Sequence, residues 1–432
     1  MCPLHEVPFN SSGQIEPAGP VASEKLTVGI EFEFFIAHEL EGGILQQDDV
    51  FPERWMLLQA NQGYNPSEVV KRYIVRFLED TVPIYSTHPL GRSMKYLKDK
   101  IAKFGIASLT DFPEYAMWQA TTDLSLHPVR GEDPPGYDFT HNRMELISRV
   151  LAEDSLDEIE LVYRRLRESM RVHVNSTCGL HVHVSVGHLS FLEIKKLVTV
   201  LCSFEPFLFH LVAPSRKYNA YCLPLTTTSR AYTDNTVGYE YQGDETIEKR
   251  GRDDENEEMD AWVPPSRGLS DVTRSAFRHI WNSTTVAHIR NELHHSQAPA
   301  FGSSQKPCAM LRGESSGIDI DGNSRPADMT LEFRHREATG DPVVDTRWLD
   351  LCVALVRSAQ SSKDEFAELI RTAGNANVQL DSQPRPEAFA ILLGALGLGA
   401  YVDFWQGTFQ RYQDKLANPI EPAILPPLPK VP

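Results

Sequence analysis

With 432 residues, 41% hydrophobic and 23% charged, the chain has the composition of a globular protein, long enough for one large or two to three ordinary domains. A formal charge of −17 excludes a general nucleic-acid-binding surface, which needs clustered Lys and Arg, yet admits an anionic ligand held by a local metal or arginine. Six scattered cysteines without a Cys-x-x-Cys pair read as reduced thiols of an intracellular, cytoplasmic protein rather than as a disulfide framework.

Residues 1–23, rich in Pro, Gly and Ser, read as a flexible lead-in without a secretory signal. A strand follows from Leu26 to Ala37. Within it Gly29-Ile30-Glu31-Phe32-Glu33-Phe34 alternates, so Glu31 and Glu33 share a face opposite Ile30 and Phe32. A helix begins at Ser67, a plausible N-cap, with Val70, Tyr73, Ile74 and Phe77 at helical spacing. A lysine-rich helix is expected over Met94 to Phe104, and a strand over Trp118 to Leu126, bearing Asp123 and Ser125. After a Pro and Gly loop, Met144-Glu145-Leu146-Ile147-Ser148 repeats the alternation, and Leu156, Ile159, Tyr163, Leu166 and Met170 mark a long helix.

Leu180-His181-Val182-His183-Val184 then puts two imidazoles on one strand face, about 7 Å apart. Ser190-Phe191-Leu192-Glu193 fits a capping box opening an apolar helix that Pro206 kinks or ends. Residues 239–268 carry an acidic run and read as a solvated insertion, and Gly302 to Asp328 as a loop. Thr330-Leu331-Glu332-Phe333-Arg334 is the last alternating strand, backed by a helix over Trp348 to Ser358. Residues 361–417 read as a helical extension and 418–432 as an extended, mobile Pro-rich tail. The near-apolar run Ala388 to Val402 is broken by glycines and falls short of the ~18–20 residues that span a bilayer, so a docking helix is expected there. No P-loop or Rossmann fingerprint follows a strand.

Four strands with one apolar face and one face of acid, imidazole or guanidinium groups would gather those groups on one concave surface. Buried unpaired carboxylates are costly without cations. Glutamates with one or two histidines suit Mg²⁺ or Mn²⁺, so Glu31, Glu33, Glu145, His181 and Glu332 are candidate ligands. Arg334, two residues from Glu332, suits the oxygens of a metal-bound polyphosphate. His183 would touch nucleotide or metal, or hold a neighbour. Cys178 invites a nucleophile reading, although a small buried thiol is the better reading.

The ordered set Gly-Ile-Glu-Phe-Glu, Glu-Leu-Ile-Ser, Cys-Gly-Leu-His-Val-His-Val and Leu-Glu-Phe-Arg-His-Arg-Glu-Ala-Thr-Gly-Asp resembles the amidoligase family. That family is a branch of the carboxylate–amine ligases related to glutamine synthetase and glutamate–cysteine ligase. The resemblance implies an α+β fold over residues 24–360, a curved antiparallel sheet of glutamine-synthetase-like type with helices on its outer face. It implies an ATP-dependent ligase using Mg²⁺, in which a carboxylate attacks the γ-phosphate and an amine attacks the acyl phosphate. Carried over by position, Glu31, Glu33, Glu145, His181 and Glu332 hold the metal and Arg334 clamps phosphate. Arg216 with Asn219 is nominated for a substrate carboxylate, and Arg278 and Arg290 are candidates for the basic group near the transferred phosphoryl. Two other readings stay open: a Zn²⁺ or Fe²⁺ hydrolase or oxygenase using the His-x-His strand, and a silent binding protein that keeps the fold. The alternation itself does not choose among them.

Overall fold

Strict alternation along Thr27–Ile36 has a direct structural counterpart. In the computed structural model, which describes residues 26–39, 54–56, 65–86, 116–233, 258–265, 269–294, 306–313, 329–382, 386–417 and 423–429, this segment is the central strand of a large sheet. The strands are β1 (Thr27–Ile36), β2 (His38–Glu39), β3 (Ile84–Ser86), β4 (Trp118–Thr122), β5 (Tyr137–Asp138), β6 (Arg143–Ile147), β7 (Leu151–Ala152), β8 (Val172–His173), β9 (Gly179–Ser185), β10 (Ala309–Arg312) and β11 (Thr330–Glu337). The longer helices are α1 (Pro66–Leu78), α2 (Asp157–Ser169), α3 (Phe191–Leu208), α4 (Asp271–Trp281), α5 (Val286–Leu293), α6 (Pro342–Ser358), α7 (Lys363–Ser382), α8 (Pro386–Ala395) and α9 (Val402–Ala417).

The fold is α+β. Among the described residues, nine strands form one open sheet in the order β10-β11-β9-β1-β6-β4-β3, with β7 and β8 pairing the two ends of β1. Among the described residues all pairs are antiparallel except β3 with β4, which adds a parallel edge to the antiparallel sheet expected. Ile30, Phe32, Val182, Leu331 and Phe333 make the buried back face. Phe32 lies 4.6 Å from the Tyr163 ring of α2, and α6 packs behind β9. The expected capping box at Ser190 and Glu193 is present. At α1 the cap is Asn65 rather than Ser67, because Pro66 takes the first helical position and Asn65 accepts from the Ser67 amide at 3.1 Å.

Three further expectations are revised. The segment Gly302 to Asp328 contains β10, whose four residues, three of them apolar, are too few to show a period. The acidic insertion is not wholly solvated, because residues 258–265 put Met259 and Val263 into the core. The Pro-rich end does not hang free: over 423–429 it is extended but pinned, with the Leu425 amide donating to Val172 (2.8 Å), Arg54 to the Leu425 carbonyl (2.6 Å) and Arg167 to the Pro426 carbonyl (2.7 Å). The extension over 361–417 is three helices, with Ala388, Phe389, Leu392 and Leu393 of α8 docked in the core. Among the described residues no helix is long and apolar enough to cross a membrane. The lead-in over 1–23, the helix expected over Met94 to Phe104 and the rest of the insertion lie outside the described residues.

Candidate functional site

Cross-strand register builds the front face. Glu31 of β1 pairs with His181 of β9, Glu33 with Glu145 of β6, and Glu332 of β11 with His183. Because side chains alternate at period two, these groups project from the same face, opposite the helices. His181 Nδ1 lies 2.7 Å from Glu31 Oε2, and its Nε2 lies 3.3 Å from Glu33 Oε1. His183 Nε2 lies 3.2 Å from Glu31 Oε1 and its Nδ1 meets the Thr330 hydroxyl at 3.2 Å. Gly179 leaves room for these groups to close in. Its amide donates to Glu33 at 2.5 Å, and a Cβ would come within 3.0 Å of His181 and Arg216 and 3.1 Å of Glu33.

Glu332 accepts from two guanidiniums, Arg334 on its own strand and Arg312 on β10. Arg334 also donates from Nε to the Tyr221 carbonyl at 3.1 Å and comes 3.4 Å from His181. A register shift between Phe333 and Arg336 marks a β-bulge, which frees ladder carbonyls and re-aims the bulged side chains. Arg216 satisfies those carbonyls: Nη2 donates to the Arg334 carbonyl at 2.8 Å and Nε reaches that of His335 at 3.4 Å. Arg216, nominated for a substrate carboxylate, is therefore only 1% exposed and sits beneath the site. Asn219 is half-buried, bonded to the Ser176 carbonyl (3.3 Å) and the Tyr221 amide (2.8 Å). Arg278 lies exposed on α4, whereas Arg290 on α5 interacts electrostatically with Arg312.

Three overlapping groups have donor atoms within 4.8 Å of one another: Glu31, His183 and Glu332; Glu31, Glu145 and His181; and Glu33, Asp123 and Glu145. The five expected ligands are thus brought together, and Asp123 and His183 join them. Asp123 follows the last residue of β4, where the Thr121 to Glu145 pairing aligns it with β6. Its signal in the sequence was the acid ending an alternating run. Arg312 had none, since its strand is masked by surrounding loop composition. Trp118 is core, with its indole N–H donating to Glu158 at 2.6 Å.

The charges are unevenly held. Burial and then the charges of Glu31, Glu33 and Asp123 push the Glu145 carboxyl up to about 10. Glu33 is likewise pushed well above the usual range by burial and Asp123, against Arg334 and Arg216. Burial acts against the ionised forms of Glu31 and Glu332 too, but His183 and His181 hold Glu31 well below its ordinary value, and Arg334 with His183 brings Glu332 down to about 2. Burial and Arg334 push His181 down. Burial raises the Cys178 thiol and leaves it an inert core group rather than a nucleophile.

A family profile described as "Putative amidoligase enzyme" matches residues 24–253, more than half of the chain. The chain belongs to the amidoligase family. The matched segment of this amidoligase carries Glu31, Glu33, Asp123, Glu145, His181 and His183. Glu332, Arg334 and Arg312 lie beyond it and complete the same face through the pairing of β11 with β9. A search of curated proteins finds no match.

Proposed function

We propose that this amidoligase is an ATP- and Mg²⁺-dependent carboxylate–amine ligase of glutamine-synthetase-like type, joining a small-molecule or peptide acid to an amine. One observation carries the reading: strands β1, β6, β9 and β11 converge acids, two imidazoles and a buried guanidinium on one face, with Arg312 at its edge. The residues fit hard divalent ions. Glu33, Asp123 and Glu145 crowd together with burial opposing their charges, the situation a cation relieves, and oxygen-rich donor sets favour Mg²⁺ or Mn²⁺.

Glu31, Glu33, Glu145, His181 and Glu332 would hold the ions, with Asp123 and His183 completing the sets. Bound there, the ions would supply neutralisation of the polyphosphate charge. Arg312 and Arg334 orient Glu332 and face the oxygens that remain. A substrate carboxylate oxygen attacks the γ-phosphorus and ADP departs. The amine nitrogen then attacks the acyl carbon, inorganic phosphate leaves, and the nitrogen loses a proton. Arg216 contributes from below, fixing the bulge that aims Arg334, while Asn219 ties the Ser176 carbonyl to the Tyr221 amide. Five buried free cysteines among the described residues accord with a cytoplasmic location.

The test uses hydroxylamine as a surrogate amine with panels of carboxylic acids and amino-acid-bearing peptides. The reading expects ATP-dependent hydroxamate together with an equal amount of phosphate. Carboxylate-independent ATP hydrolysis, or metal-dependent hydrolysis of amides without ATP, would reject it, the latter in favour of a Zn²⁺ or Fe²⁺ hydrolase.

A further inference from the structure

Behind β11, on the face away from the ligase site, Glu205 of α3, Cys308 and His335 bring a carboxylate oxygen, a thiol and an imidazole nitrogen within 4.8 Å of one another. All three residues are buried, with His335 and Glu205 at 0% exposure and Cys308 at 0%. Each donor is fixed by its neighbours. Glu205 accepts the Leu225 and Thr226 amides at 2.6 and 2.8 Å, which orients its carboxylate. Cys308 is held on both sides, its amide donating to Leu223 (2.8 Å) and its carbonyl accepting from Arg334 (2.7 Å). Its thiol points at Glu205 Oε1, 3.0 Å away. The carbonyl of His335 accepts from Arg216.

His335 is the independent observation. Among the described residues neither of its ring nitrogens has a hydrogen-bond partner, although the ring is closed in among Phe209, Phe333 and Trp348. An imidazole buried for packing alone normally satisfies at least one nitrogen, and here a nitrogen instead comes within reach of a thiol and an anchored carboxylate. Cys202 and Cys222 lie close enough for their charges to interact with Glu205 and Cys308 respectively.

We propose that Glu205, Cys308 and His335 form a buried structural site for a soft divalent ion, zinc being the fitting one, separate from the oxygen-rich front face. Thiolate, imidazole and carboxylate together are a zinc donor set, whose members sit about 3.5 Å apart in tetrahedral geometry, against donor atoms here all within 4.8 Å of one another. The anchoring amides on Glu205 supply the orienting contacts that such sites need. On binding, the Cys308 S–H bond breaks, an S–metal bond forms and the proton leaves to solvent; the thiolate and the carboxylate then balance the dication.

The full chain, purified without chelator, should contain about one zinc per molecule by elemental mass spectrometry. Exchange with Co²⁺ should give a sulfur-to-cobalt charge-transfer band in the near ultraviolet, a signature the front-face carboxylates cannot produce. That band should persist in Glu332→Gln and Cys178→Ala and vanish in Cys308→Ser with the circular dichroism unchanged. A folded wild-type chain that holds no zinc and gives no such band with Co²⁺ overturns the proposal, as does a band that survives Cys308→Ser or is lost with Cys178→Ala. If Cys308→Ser fails to fold, the wild-type stoichiometry and spectrum alone decide it.

Discussion

Asp345, in the first turn of α6, is buried at 2% exposure between α2 and the end of β11 and accepts from the Thr339 hydroxyl at 2.7 Å. Burial, only partly offset by Arg336, pushes its carboxyl from an ordinary 3.8 to about 7. The folded state therefore binds the proton more tightly than the unfolded state. Its contribution to stability is fully present below about pH 4, declines across the window from about 4 to 7, and is gone above. At ~1.4 kcal/mol per pH unit the span corresponds to about 4 kcal/mol. Asp345→Asn keeps an acceptor for Thr339 and removes the titration. Many other carboxylates titrate in this range, so the informative quantity is the difference between wild type and variant. Urea unfolding followed by circular dichroism from pH 4 to 8 should show that difference moving by about 4 kcal/mol in favour of the asparagine as pH rises. A difference that stays flat, or moves the other way, would refute a raised carboxyl at this position.

The front face supports three more expectations. Arg312→Ala removes a guanidinium whose side chain is 44% exposed; stability should change by no more than about 1 kcal/mol, while turnover in the hydroxamate assay should fall by about 10²- to 10³-fold. Gly179→Ala forces a methyl against Arg216, His181 and Glu33, and should lower unfolding stability by about 1–3 kcal/mol with a disproportionate loss of activity. Retention of both in the alanine variant would contradict the close approach of Arg216, His181 and Glu33 to this position. Deleting the chain from Ala423 onward strips partners from Arg54, Arg167 and His173; a midpoint unchanged in thermal unfolding would contradict the pinned tail.

Periodicity made the strands that carry the acids and imidazoles legible. In β1, β6, β9 and β11 one face must enter the helix-covered core, so the apolar residues announce which side Glu31, Glu145, His181 and Glu332 occupy, and register then aligns them. What escaped is what periodicity does not encode. The bulge at β11 is set by pairing with β9, so the descent of Arg216 beneath it could not be read from a basic turn at Arg216 and Lys217. Arg312 stands on a four-residue strand among loop residues, and Asp123 becomes a partner of Glu33 and Glu145 only through the sheet order. Composition suggested a loose tail because proline cannot continue a ladder. It did not foresee that arginines of α2 and the 54–56 segment would bind the tail's free carbonyls.

The most direct measurement is calorimetric titration of a non-hydrolysable ATP analogue into the full chain, with and without Mg²⁺, since it requires neither substrate to be known. The account predicts binding that depends on Mg²⁺ or Mn²⁺ and is lost in Glu332→Gln, a variant whose circular dichroism matches wild type. Well-folded protein that binds no nucleotide at any concentration of either ion would contradict the ligase assignment.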